Sequence, residues 1–138
     1  MALAGAALIW PAGGGLRAQP APDASPPVRL TQSASLPAGA RWSAQVPAAW
    51  NGTLLLWSRG YAARPGEPEL APARARAALL GLGYAIAASD YGAGGWALEQ
   101  AVPAQQATLR AFTQAYGRPR RVIAMGNSMG GLVTTALA

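Results

Sequence analysis

Apolar positions along the chain fall into two patterns, short continuous runs and stripes spaced at helical intervals. Thr53-Leu54-Leu55-Leu56-Trp57, Tyr84-Ala85-Ile86-Ala87-Ala88 and Arg121-Val122-Ile123-Ala124-Met125 are apolar almost throughout. A strand with one wet face alternates with period two. A run without alternation suits a strand covered on both faces, as in a parallel sheet. Upstream, Arg41 to Val46 does alternate, with Trp42, Ala44 and Val46 on one face, and Pro47 and the Trp50-Asn51-Gly52 turn end it.

Helical patterns separate these runs. Leu70 to Leu82 is rich in Ala, Leu and Arg, and Gly83 is placed as its left-handed terminator. Leu98, Val102, Leu109, Phe112 and Tyr116 form one face of a long helix that Gly117 closes. Gln105 interrupts that stripe, and Pro103 belongs in a first turn or at a kink. Leu132 to Ala138 begins a further helix. Alternating strands and helices predict an α/β fold, a partial doubly wound and mostly parallel sheet with helices on both faces. Ligands in such sheets bind beyond the C-terminal ends of the strands. The loops to inspect are therefore Ser58–Tyr61, Asp90–Gly95 and Gly126–Gly131.

The N-terminal segment is set apart. Ala2 to Trp10 is apolar but too short to span a bilayer, and Leu16-Arg17-Ala18 follows a small-residue stretch. Residues 1–18 read as a signal-peptide-like leader whose basic n-region is missing, with a disordered Ala/Gly/Pro leader as the alternative. Residues 19–27 read as a Pro/Ala-rich linker. The leader predicts a secreted or periplasmic protein, and without Cys a lipoprotein anchor is excluded, so no stable membrane anchor is expected.

Composition narrows the chemistry. The chain is 51% hydrophobic and 12% charged, which excludes wholesale disorder. Its net charge is +6, yet the Arg residues are dispersed and only Arg118, Arg120 and Arg121 cluster, with no recognition motif. No nucleic-acid partner is expected. With no Cys, no His and 5 scattered carboxylates, neither a metal nor an organic cofactor is expected. The missing His also removes the usual general base of a serine nucleophile.

One strand-to-helix loop carries a motif. Gly126-Asn127-Ser128-Met129-Gly130-Gly131 fits G-x-S-x-G. A nucleophile at a strained turn projects its hydroxyl above the sheet, and the residues two before and two after it must be small because backbones approach there. The helix N-terminus then faces the substrate oxyanion, with the Met129 N–H as a donor. The competing reading is a Gly-rich phosphate or dinucleotide turn. Both G-x-G-x-x-G and the G-K-[ST] ending of a P-loop are absent.

The loop resembles the GHSMGG elbow of bacterial secreted α/β-hydrolases, with Asn127 in place of a frequent His. Trp50 to Tyr61 is similar to that family's third strand and oxyanion loop, and Gly83 to Tyr91 to its following strand and D-Y-x-G-x-G loop. The resemblance covers about residues 40–138 and makes residues 28–138 the N-terminal portion of such a domain. It implies that Ser128 is the nucleophile, that the N–H groups of Tyr61 and Met129 form the oxyanion hole, and that the substrate is a small-molecule ester or amide. Arg59-Gly60 stands where the family usually has His-Gly, and Arg59 either points to the surface or packs inside. Asp90 is expected to fix its loop rather than to serve as the catalytic acid, because the family's acid follows the nucleophile. Trp96 either walls an acyl pocket or packs a helix.

The family's acid and His also lie downstream of Ser128, and this sequence contains no His. The chain is therefore expected to be an N-terminal fragment of a serine hydrolase, inactive alone. The alternatives are an inactive remnant or structural module, or an acyltransferase on the same fold. Arg121–Met125 is expected to leave an open apolar edge that invites aggregation.

Overall fold

Every apolar run forms a strand, and a further strand precedes them. The computed structural model describes residues 28–138; the leader over 1–18 and the linker over 19–27 lie outside the described residues. The elements are β1 (Val28–Ser35), β2 (Arg41–Pro47), β3 (Thr53–Ser58), α1 (Ala73–Gly81), β4 (Ala85–Ser89), α2 (Leu98–Tyr116), β5 (Arg121–Gly126) and α3 (Met129–Leu137). A 3₁₀ turn, Pro37–Gly39, joins β1 to β2. Among the described residues no helix is long and apolar enough to cross a membrane.

The strands form one five-stranded sheet in the order β1-β2-β4-β3-β5. β3 is parallel to both β4 and β5, while β1, β2 and β4 pair antiparallel. From β3 the chain crosses through α1 to β4 on one side, then returns through α2 to β5 on the other. This reversal places the helices on opposite faces, because each parallel crossover keeps the same hand. The side chains record it. Leu54 and Leu56 of β3 join Ala85 and Ala87 of β4, Phe112 of α2, and Met129 and Val133 of α3 in one cluster. Leu55 and Trp57 join Ile86, Ala88 and Leu80 of α1 in the other. Trp42, Ala44 and Val46 of β2 share the α2 face, as their alternation predicts.

Three boundaries differ from the sequence pattern, each for a local reason. α1 starts at Ala73 rather than Leu70, because Pro72 caps it and Ala71 is held at φ 87°; a residue before proline is disfavoured in the helical region. Leu70 and Ala71 are still buried, in the cluster that Leu55 and Trp57 of β3 share with α1. Pro103 lies within α2, further in than a first-turn position, and leaves the Glu99 carbonyl without its usual donor. α3 begins at Met129, directly after the loop motif, rather than at Leu132. β1 carries Thr31, Gln32, Ser33 and Ser35 and so has no apolar run to announce it.

β5 is an edge strand whose only partner among the described residues is β3. Val122 and Ile123 on it are 41% and 38% exposed. An apolar edge of this kind is a template for pairing with another chain.

Candidate functional site

β3, β4 and β5 run parallel, so the loops after Ser58, Ser89 and Gly126 emerge at the same end of the sheet. Ser128 lies between the end of β5 and the start of α3, at φ 50° and ψ −124°. A non-glycine residue there is strained. Hydrogen bonds from Gly130 N to the Asn127 carbonyl (2.8 Å) and from Gly131 N to the Ser128 carbonyl (2.9 Å) tighten the turn. The Ser128 side chain is exposed and caps nothing in α3.

The flanking glycines explain how the turn is forced. A Cβ on Gly126 would lie 2.5 Å from the Gly130 carbonyl oxygen and 2.8 Å from that of Ser58. A Cβ on Gly130 would overlap the Ser58 carbonyl outright. The start of α3 thus rests directly on the backbone ends of β3 and β5. The loop after β3 closes in from the side, since a Cβ on Gly60 would sit 3.4 Å from the Ser128 Cβ.

Met129 is the first residue of α3, among the amides that a helix leaves without an internal partner. Tyr61 directly follows Gly60, and its side chain is exposed. Its ring lies 6.1 Å from that of Trp96, which is also exposed rather than packed under a helix. A bridge between Ala62 and Gly95, with Gly95 N donating to the Ala62 carbonyl at 2.7 Å, ties the two loops together.

Arg59 packs inside, at 6% exposure. Its Nη1 donates to the Gly60 carbonyl (2.9 Å), and its Nη2 donates to the carbonyls of Asp90 (2.9 Å) and Ala93 (2.7 Å). The guanidinium carbon stands 4.5 Å from the centre of the Tyr91 ring, a cation–π arrangement. Tyr91 Oη donates in turn to the Arg59 carbonyl at 3.3 Å. Burial pushes the Tyr91 phenol above its ordinary pKa, against the smaller opposing pulls of Ser58 and of the Arg59 charge.

Beneath this loop lies Gln105, fully buried. Its Nε2 donates to the Trp57 carbonyl (2.6 Å) and to Ser58 Oγ (2.8 Å), while Oε1 and Trp57 Nε1 have no protein partner. A polar residue within an apolar helical stripe is the signal that marks it in the sequence. Asp90 fixes its loop as expected: Oδ1 accepts from the backbone N–H of Arg41 (2.8 Å) and of Gly92 (2.9 Å). Nothing in the pattern of apolar positions marks Arg59 as buried, because its partners are backbone carbonyls that no side-chain motif reveals.

No family model matches the chain, and no curated protein matches it. Among solved structures, an esterase of Pyrococcus furiosus is similar, with a TM-score of 0.54 at 18% sequence identity. The similarity covers 78% of this chain and 45% of the esterase, so the chain matches less than half of that enzyme's length. At that identity the likeness speaks of fold alone. The chain has an α/β fold of the α/β-hydrolase type in part, a mixed sheet that is parallel across β4, β3 and β5 and covered by helices.

Proposed function

We propose that the chain carries the nucleophile and oxyanion half of a secreted or periplasmic serine hydrolase acting on small carboxylic esters or amides. The observation that carries this reading is the backbone of Ser128, strained at φ 50° with its hydroxyl exposed and capping nothing. Strain without a structural return is what a projected nucleophile requires.

In this reading Ser128 Oγ attacks the substrate carbonyl carbon as its proton passes to a base. The carbonyl oxygen becomes an oxyanion and accepts hydrogen bonds from the N–H groups of Met129 and Tyr61. The bond to the leaving alcohol or amine breaks as that group takes up a proton. Water then cleaves the acyl-serine ester, releasing the acid and restoring Ser128. His is absent from the 138 residues, so this reading places the base and its orienting acid on other polypeptide. The name of the Pyrococcus furiosus esterase favours an ester over an amide, as an analogy of fold. The leader-like residues 1–18 support export.

The missing His favours a second reading, in which the chain is a non-catalytic remnant of the same fold. Treatment with a fluorophosphonate, followed by mass-spectrometric mapping, separates the two. Adduct at Ser128, in the chain or in a longer polypeptide that supplies a His, supports the nucleophile. Absence of adduct in both, with the fold intact, would overturn it in favour of the remnant.

A further inference from the structure

We propose that Arg59 is a positioning residue that strengthens the oxyanion hole through the peptide bond between Gly60 and Tyr61. The inference rests on the acyl-serine reading above and adds to it the source of the hole's polarisation. Burying a guanidinium is costly, and a carboxylate is its usual compensation. Here the recorded partners are three backbone carbonyls and the face of Tyr91. The one ion pair among the described residues joins Arg41 to Glu67 and does not include Arg59. Arginine does not deprotonate in proteins, so a full positive charge sits inside the loop.

The position of that charge is specific. Nη1 donates to the carbonyl of Gly60. That carbonyl and the N–H of Tyr61 belong to one planar, conjugated amide. A charged donor on the oxygen draws density from the nitrogen and makes the N–H a stronger donor, as hydrogen bonds in series polarise one another. The same guanidinium holds the carbonyls of Asp90 and Ala93, so the peptide is both polarised and fixed against the neighbouring loop. Gly60 abuts Ser128, which places this polarised amide beside the nucleophile. The dipole is oriented before any substrate arrives, the condition under which such donors act most strongly.

A structural clamp alone would tie the loops equally well without charge, and the test separates the two roles. Arg59→Lys keeps the charge; Arg59→Gln keeps a donor and loses the charge. Both are compared with wild type by fluorophosphonate labelling of Ser128, resolving the maximal rate from the half-saturating concentration, and by the amide chemical shift of Tyr61. Thermal unfolding confirms that each variant is folded. Complete loss of an oxyanion donor lowers turnover about 10²–10³-fold, so a weakened donor should lower the maximal labelling rate about tenfold in the Gln variant. The half-saturating concentration should not change, the Tyr61 amide should move upfield, and Lys should recover part of both effects. Equal rates and equal Tyr61 shifts in folded Lys and Gln variants would overturn the proposal, even if both are slower than wild type. A wild-type protein that never labels, even when a His-bearing polypeptide is supplied, would instead sink the acyl-serine reading and this proposal with it. A moved Tyr61 shift would then report polarisation without catalysis.

Discussion

Replacing Ser128 by glycine should stabilise the fold relative to replacing it by alanine. Both substitutions remove the hydroxyl, and the side chain is exposed, so neither sacrifices core packing. They differ in what the backbone tolerates. At φ 50° and ψ −124° an L side chain is strained, and such strain is typically about 1–3 kcal/mol. Glycine adopts the conformation freely but loses more chain entropy on folding, about 0.5–1 kcal/mol against alanine. The net expectation is that Ser128→Gly exceeds Ser128→Ala by about 0.5–2 kcal/mol. In a domain near this size that is roughly 3–10 °C in midpoint temperature. Urea unfolding of the two variants, followed by circular dichroism, reads the difference directly, provided the slopes agree. If Ser128→Gly is no more stable than Ser128→Ala, the turn stores no strain. The argument that its geometry is held for chemistry then fails.

Other expectations test separate parts of the structure. Phe112 is fully buried, with its ring 5.6 Å from that of Trp50 and 4.9 Å from that of Tyr116. Phe112→Ala should lower the unfolding free energy by about 3–5 kcal/mol, measured by chemical denaturation; a loss below about 1 kcal/mol would contradict the packing. The phenol of Tyr91 titrates above its ordinary value because burial penalises the phenolate, so its stabilising contribution is intact below the ordinary phenol pKa and falls as pH rises through the raised folded value. Ultraviolet titration of wild type against Tyr91→Phe should show this residue ionising above the ordinary phenol range, and a transition at or below that range would refute its burial. Val122→Lys on the exposed edge of β5 should reduce self-association in sedimentation velocity, because a charge there opposes edge-to-edge pairing; unchanged association would move the contact elsewhere.

The core of the fold was legible because burial on both faces leaves an unmistakable mark. Leu54 to Trp57 and Ala85 to Ala88 have no polar alternation, and they are the strands sandwiched between α1 and α2. The Gly126–Gly131 loop was legible for a different reason. Backbone contact at Gly126 and Gly130 excludes every side chain, so the constraint is written as residue identity. β1 escaped because an edge hairpin needs no apolar run, and the late start of α1 escaped because Pro72 acts on its neighbour rather than on a pattern. The inward turn of Arg59 was undetermined for a deeper reason. Its burial depends on carbonyls of residues 90 and 93, which only the returning chain brings near.

The contact of Gly130 with the end of β3 also has a consequence in time. The Ser128 turn has two short-range hydrogen bonds of its own, but it is also pressed into shape by a strand laid down far earlier in the sequence. Until β5 docks beside β3, Ser128 belongs to an ordinary, relaxed stretch of chain. Closing that long separation is the slow kind of contact. In a refolding chain, reactivity at Ser128 should therefore rise with the last phase of folding and never ahead of it. If Ser128 is the nucleophile proposed above, its reactivity becomes a certificate of completed folding, withheld from nascent and half-unfolded chains alike.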